Sequence, residues 1–196
     1  MKILQQKFYA RDDVVAISRE LLGKVLVTTI DGATTSAVIT ETEAYAGVRD
    51  RASHAYGDRR TARTEPMYAK GGTAYVYLCY GIHHLFNVVT GRSGTPHAIL
   101  VRAGKPVEGV TLMLERRGRK RPDAALLGGP GSLARALGIT TTLTGTSLVD
   151  GPIRIEDHGI RVPASKISAG PRVGVDYAGA DALLPYRFRV DPGEIQ

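Results

Sequence analysis

Apolar and polar positions alternate with a period of two over several short runs of this chain, and only a few stretches repeat at helical spacing. Val14, Ile17 and Leu21 stand one turn apart behind Asp12 and Asp13, either of which can cap a helix that stops at Gly23. Lys24 to Ile30 reads as a strand, and Asp31-Gly32 as the turn that returns it into a second strand ending in Ile39-Thr40-Glu41-Thr42-Glu43-Ala44-Tyr45. Further on, Tyr75, Tyr77 and Cys79 alternate against Val76, Leu78 and Tyr80 as far as Gly81, and Leu85 to Thr90 runs back, which predicts a β-hairpin with Tyr80 near its apex. His97 to Ala103 is a further strand after the turn-rich Gly91 to Pro96. A helix is expected over Val107 to Arg117 and a shorter one at Leu133 to Leu137, followed by short strands at Pro152 to Glu156, Arg172 to Val175 and Arg187 to Val190. Asp191 to Gln196 is expected to be loose.

These elements predict an α+β fold: a single compact domain over residues 1–196, with a curved, mostly antiparallel β-sheet flanked by helices and a protruding β-hairpin. That length is ample for one substantial core, and no repeat, low-complexity tract or linker divides it. Charge then narrows the partner. Lysine and arginine number 26 against 19 acidic residues, a net +7 that fits an anionic partner without separating DNA from RNA or a membrane. One cysteine excludes an internal disulfide framework and argues against a structural zinc site, and no His-Glu-x-x-His spacing is present. The first residues show no sustained apolar run, so a cytoplasmic protein without a targeting signal is expected.

Candidate chemistry concentrates between Glu41 and Asn87, where six of the nine tyrosines, three of the five histidines and the only asparagine lie. On a strand Glu41, Glu43 and Tyr45 share a face, so two carboxylates lie side by side with an aromatic ring. A carboxylate near a like charge and apolar rings can serve as a general base, although a Glu-x-Glu pair is equally a solvated strand edge. An exposed Tyr80 beside the arginine-rich loop of Arg59, Arg60 and Arg63 suits nucleobases strung on an anionic backbone, although a tyrosine stripe is equally core packing.

A resemblance joins these pieces. Glu41-Thr42-Glu43-Ala44-Tyr45, His54 nine residues on, the Arg-Thr-x-Arg of 60 to 63, Lys70-Gly71-Gly72-Thr73-Ala74-Tyr75-Val76-Tyr77, the Tyr80-Gly81 turn and Asn87 all resemble the alkyladenine (3-methyladenine) DNA glycosylase family. So do Ile99-Leu100-Val101-Arg102-Ala103, Gly129-Pro130-Gly131-Ser132-Leu133 and Arg172-Val173-Gly174-Val175. The resemblance runs over nearly the whole chain and implies the same curved-sheet fold. It also implies excision of damaged purines from double-stranded DNA by a monomer without cofactor or metal.

In that pattern Tyr80 would fill the gap left by a flipped nucleotide, and Tyr45, His54 and Tyr77 would wall the base pocket. Asn87 would stand at the pocket floor and reject the guanine amino group. Glu43 would deprotonate a water that Arg102 and His54 help to hold. No amine nucleophile is implied, so hydrolysis without strand cleavage is expected. His83 and His84 depart from the pattern after the hairpin turn. Arg59, Arg60 and Arg63, lying outside the pocket, are expected to contact phosphates, with part of the Arg116–Arg121 run. The Gly128–Ser132 stretch would open a short helix with free N–H groups. Two other classes remain: a nucleic-acid-binding domain without chemistry, and a glycosidase of small molecules or RNA using Glu41 and Glu43 as acid and base. The second fits poorly, since neighbours on one strand face cannot easily flank a bond.

Overall fold

The computed structural model describes residues 1–195. In chain order the elements are β1 (Lys2–Ile3), α1 (Gln6–Tyr9), α2 (Val14–Glu20), β2 (Val25–Ile30), β3 (Ala33–Tyr45), β4 (Ala74–Cys79), β5 (His83–Thr90), β6 (His97–Glu108), α3 (Val110–Arg117), α4 (Pro130–Ala136), β7 (Ile153–Asp157), β8 (Ser168–Gly170) and β9 (Arg187–Arg189), with short 3₁₀ turns between them. All strands join one curled antiparallel sheet in the order β1-β7-β2-β3-β6-β5-β4, with β9 beside β3 and β8 beside β9.

β3 organises the sheet because it is long enough to serve two neighbours in succession on one edge. Ala33 to Val38 pair with β2 across the Asp31-Gly32 turn, whose φ values of 51° and 74° match the two-residue hairpin turn expected there. β9 replaces β2 at Glu41–Glu43, while β6 runs along the other edge. The β3–β6 register slips twice at this fork, from Ile39↔Gly104 to Glu41↔Ala103 and then to Thr42↔Val101. Thr40 and Arg102 are therefore unopposed, one on each strand, and such a bulge re-aims the side chain it leaves over.

Alternation sorts the strands into two faces. Ile39, Ala44, Ala74, Val76, Phe86, Val88, Ile99 and Val101 enter the main core with Ile17 of α2, Met113 of α3 and Leu133 of α4. The other face carries Tyr75, Val89 and Ala98, packed with Ala55, Met67 and Tyr68 into a smaller cluster. α2 lies over β3, α4 over β5 and β6, and α3 on α4. Asp13 caps α2 by accepting the Ala16 N–H at 2.9 Å. Lys70-Gly71-Gly72 owes its glycines to Tyr9, since a Cβ on Gly71 would collide with the Tyr9 carbonyl oxygen.

Several boundaries differ from expectation. The helix expected over Val107–Arg117 starts only at Val110. β6 runs on through Pro106 to Glu108, and Gly109, at φ 72°, turns the chain where a Cβ would meet the Thr34 carbonyl at 2.5 Å. Pro106 is tolerated because β5 leaves β6 at Leu100, so this stretch is an edge. The helix expected at Leu133–Leu137 is Pro130–Ala136, with Pro130 in the first turn, where a missing N–H costs nothing. Arg172–Val175 is no strand: its backbone donates to a side chain instead of a ladder. The end expected to be loose is ordered through Ile195, which is buried and accepts from Lys105, while Gln196 lies outside the described residues. Among the described residues no helix is long and apolar enough to cross a membrane.

Candidate active site

On the face opposite the main core the sheet opens into a cavity of about 670 Å³, within the range of small-molecule sites. Tyr45 of β3, Tyr75 and Tyr77 of β4, Asn87 of β5, and Leu100 and Arg102 of β6 line it together. These positions are separated by tens of residues in sequence and meet because four neighbouring strands turn the same register face toward one hollow.

Glu43 is wholly buried and lies one hydrogen bond behind the lining. Its Oε2 accepts from the Tyr45 hydroxyl at 2.9 Å and from Arg102 at 3.3 Å, and its Oε1 accepts from the Val173 N–H at 2.8 Å. A carboxylate has about four acceptor sites, so three donors leave one on Oε1. Tyr45 is held well above the ordinary tyrosine range by burial and then by the charge of Glu43, so its hydroxyl stays protonated and donates. Arg102, freed by the bulge, donates Nε to Glu41 at 2.8 Å while its other arm reaches Glu43. Arg187 of β9 also donates to Glu41, at 2.7 Å. The two carboxylates are thus not an acid and base pair flanking a bond; Glu41 aims the arginine that touches Glu43.

Tyr77 and His54 meet edge to face at 4.7 Å between ring centres, and Tyr75 tilts against Tyr77 at 5.5 Å. Nδ1 of His54 lies 2.9 Å from the Tyr75 hydroxyl. Burial, then the charges of Arg63 and Arg59, press the imidazole down to about 4, so it is neutral near pH 7. His54 joins the aromatic wall and makes no hydrogen bond to Glu43 or Arg102. Asn87 donates both amide hydrogens, to the Tyr75 and Leu85 carbonyls at 3.1 and 3.2 Å. Those partners are acceptors only, so the amide orientation is determined and its carbonyl oxygen is left for the cavity.

The hairpin carries Tyr80 at its tip, 91 % exposed, with φ at 51°. A bulky ring in the left-handed region costs about 1–2 kcal/mol. Ile82 and Leu78 are exposed beside it, so the apolar tip extends beyond the one tyrosine that sequence reasoning singled out. The hairpin base is tied down: Thr144 bonds both backbone groups of Val76, His84 accepts the Thr141 N–H, and Gly131 lies against the ring of His83. Of the two histidines that depart from the family pattern, His84 therefore ties the hairpin down, while His83 is exposed beside Gly131.

The arginines are arranged differently from expectation. Arg60 forks onto Glu65 with two 2.7 Å bonds and covers the Tyr68 ring. Arg63, expected outside the pocket, lines it, with its guanidinium 5.0 Å from the centre of the Tyr77 ring. In the 116–121 run, Arg116 and Arg117 donate to backbone carbonyls of their own chain and Arg119 pairs with Asp123. The residue that sequence reasoning passed over is Arg172. Nearly fully buried, it forks onto Asp50, donates to the Ala44 carbonyl at 2.9 Å and lies 4.8 Å from the Tyr45 ring centre. It pins the loop whose next N–H holds Glu43. Its one sequence signal was membership of the Arg172–Val175 run.

A buried carboxylate with one acceptor to spare, walled by tyrosines and reached past an exposed ring, suits hydrolysis at a base drawn out of nucleic acid; fold and site define a DNA glycosylase. The chain belongs to the methylpurine-DNA glycosylase family, whose model matches residues 7–193. It is 46 % identical over 187 residues to a protein of Chlamydia felis (strain Fe/C-56), covering 95 % of each chain. It is 44 % identical over 195 residues to one of Chlamydia pneumoniae, covering 97 % of this chain and 96 % of the other. With one of Desulfitobacterium hafniense (strain Y51) the identity is 42 % over 201 residues, covering 99 % and 98 %. All three bear the name "Putative 3-methyladenine DNA glycosylase".

Proposed function

We propose that this protein releases 3-methyladenine and other alkylated or deaminated purines from double-stranded DNA by base flipping and hydrolysis of the glycosidic bond, leaving the strand intact. The observation that carries the reading is the buried cluster of Glu43, Arg102 and Tyr45 directly behind an aromatic cavity. Tyr80, already exposed and strained, enters the duplex and takes the place of the extruded nucleotide, offsetting an unstacking cost of a few kcal/mol. The damaged base enters among Tyr45, His54 and Tyr77. Electron-rich ring faces favour the positive charge of an alkylated purine by about 0.5–2 kcal/mol, and Asn87 stands at the floor against the guanine amino group.

Water enters at the acceptor site left on Oε1 of Glu43, beside the Val173 N–H. Its oxygen bonds to C1′, its proton passes to Glu43, and the glycosidic electrons leave with the base, cancelling the charge of an alkylated purine; a neutral deaminated purine leaves as the anion and takes a proton from solvent. The neutral His54 supports the wall and does not transfer the proton. Among the described residues no lysine lines the cavity, which supports hydrolysis over an amine-linked intermediate. The protein works as a monomer in the cytoplasm without a cofactor. Release of free base from oligonucleotides, each bearing one lesion, tests this: wild type releases alkylated purines and Glu43→Gln releases them roughly 10²–10⁴-fold more slowly, and comparable release by both would sink the assignment of Glu43.

A further inference from the structure

Beside the base cavity lies a second cleft of about 460 Å³, whose floor and rim bring Arg51, Arg59 and Arg63 together with Ser53 and Tyr56. Among the described residues none of these three guanidinium groups has a carboxylate partner, and no carboxylate lines the cleft. Three uncompensated cations around one hollow are mutually repulsive until an anion enters. His54, Arg63 and Tyr177 line both hollows and form the wall between them.

We infer that this cleft is a subsite for a single phosphate oxyanion, the backbone phosphodiester next to the flipped nucleotide, held by Arg51, Arg59 and Arg63 at once. The inference rests on the DNA glycosylase reading for the source of the phosphate. Arg63 couples the hollows: a phosphate in the cleft engages the same guanidinium that covers the Tyr77 ring. Arg60, which sequence spacing grouped with these residues, is not in the cleft; Arg51, which it did not, is.

One shared phosphate and three separate ones differ in salt dependence, since each phosphate neutralised adds a slope of about 0.9 to log affinity against log salt. Binding to undamaged duplex is titrated with salt for Arg51→Gln, Arg59→Gln, Arg63→Gln and the triple variant, with Arg11→Gln, which lines neither hollow and is paired with Glu20, as the charge control. The triple variant is expected to flatten the slope by about one unit, with single losses that do not sum. A loss near three units, or none beyond the control, overturns the shared subsite. In a second arm inorganic phosphate is titrated into the free protein while the His54 ring resonances are followed. Wild type should shift and the triple variant should not; no shift in wild type also overturns the proposal. A phosphate-induced shift without any slope change would identify a free anion and refute the backbone assignment. Failure of the glycosylase reading shows up separately, as absent base release with both arms unaffected.

Discussion

At the residue scale the candidate active site is a set of donors arranged around one buried carboxylate. Glu43→Gln keeps the side-chain shape but cannot take a proton, so base release should fall by the roughly 10²–10⁴-fold that a general base contributes, while duplex binding persists. Glu41→Gln should be milder, because Glu41 acts through Arg102; equal losses in single-turnover assays would refute this division. His54 gives a pH signature. Its folded value near 4 lies below the ordinary 6.5, so between these values the unfolded chain binds more protons and stability rises with pH. Its contribution is present above pH 6.5 and lost on acidification to pH 4, a cost of roughly 2–3 kcal/mol from about 1.4 kcal/mol per unit. Urea unfolding at stepped pH should show that drop in wild type and much less of it in His54→Gln. Asn87→Ser should broaden the range of purines released, with unmodified guanine the first gain. It also orphans the Tyr75 and Leu85 carbonyls and should cost about 1–3 kcal/mol, readable in the same unfolding series.

At the scale of elements, the tyrosine hairpin and the fork at β3 do the positioning. Tyr80→Gly separates wedge from core, because its two effects have opposite sign. Relief of a left-handed φ should stabilise the fold by about 1 kcal/mol, while loss of base stacking should weaken lesion-duplex binding by about 1–3 kcal/mol. A destabilised variant with normal binding would mean that Tyr80 packs rather than probes. At the fork, Arg172→Met leaves Asp50 buried and unpaired and frees the loop behind Glu43. A loss of about 3–5 kcal/mol is expected in thermal or urea melts. Both hairpins were legible because a two-residue period ending at Asp31-Gly32 or Tyr80-Gly81 has one simple local solution. The span of β6 was not, since Pro106 reads locally as a strand breaker and is allowed only by an edge position that β5 creates.

For the whole molecule, the curled sheet divides its two faces between stability and chemistry. Ala44, Phe86, Val88 and Ile99 fill the core face, and their neighbours Tyr45, Asn87 and Leu100 line the cavity. The net +7 follows from composition alone, and so does an anionic partner. Its spatial distribution does not. Arg60, Arg116, Arg117 and Arg119 are spent on the protein's own carboxylates and carbonyls, whereas Arg51, Arg59 and Arg63 gather around a cleft without one. What the sequence determined by itself was what local rules and ordered motifs carry: the period-two strands, both hairpin turns, a cap at Asp12 or Asp13, the grouping of Glu43, Tyr45, His54, Tyr77, Asn87 and Arg102 around one hollow, and Tyr80 at an apex. Tertiary structure alone decided that Glu43 lies behind the cavity wall, that Glu41 aims Arg102, that Arg172 and the Val173 N–H complete the site, and which arginines remain free. Those facts depend on contacts between residues as many as 146 apart in the chain, and on a bulge set by two strands together. No spacing within a single segment encodes either.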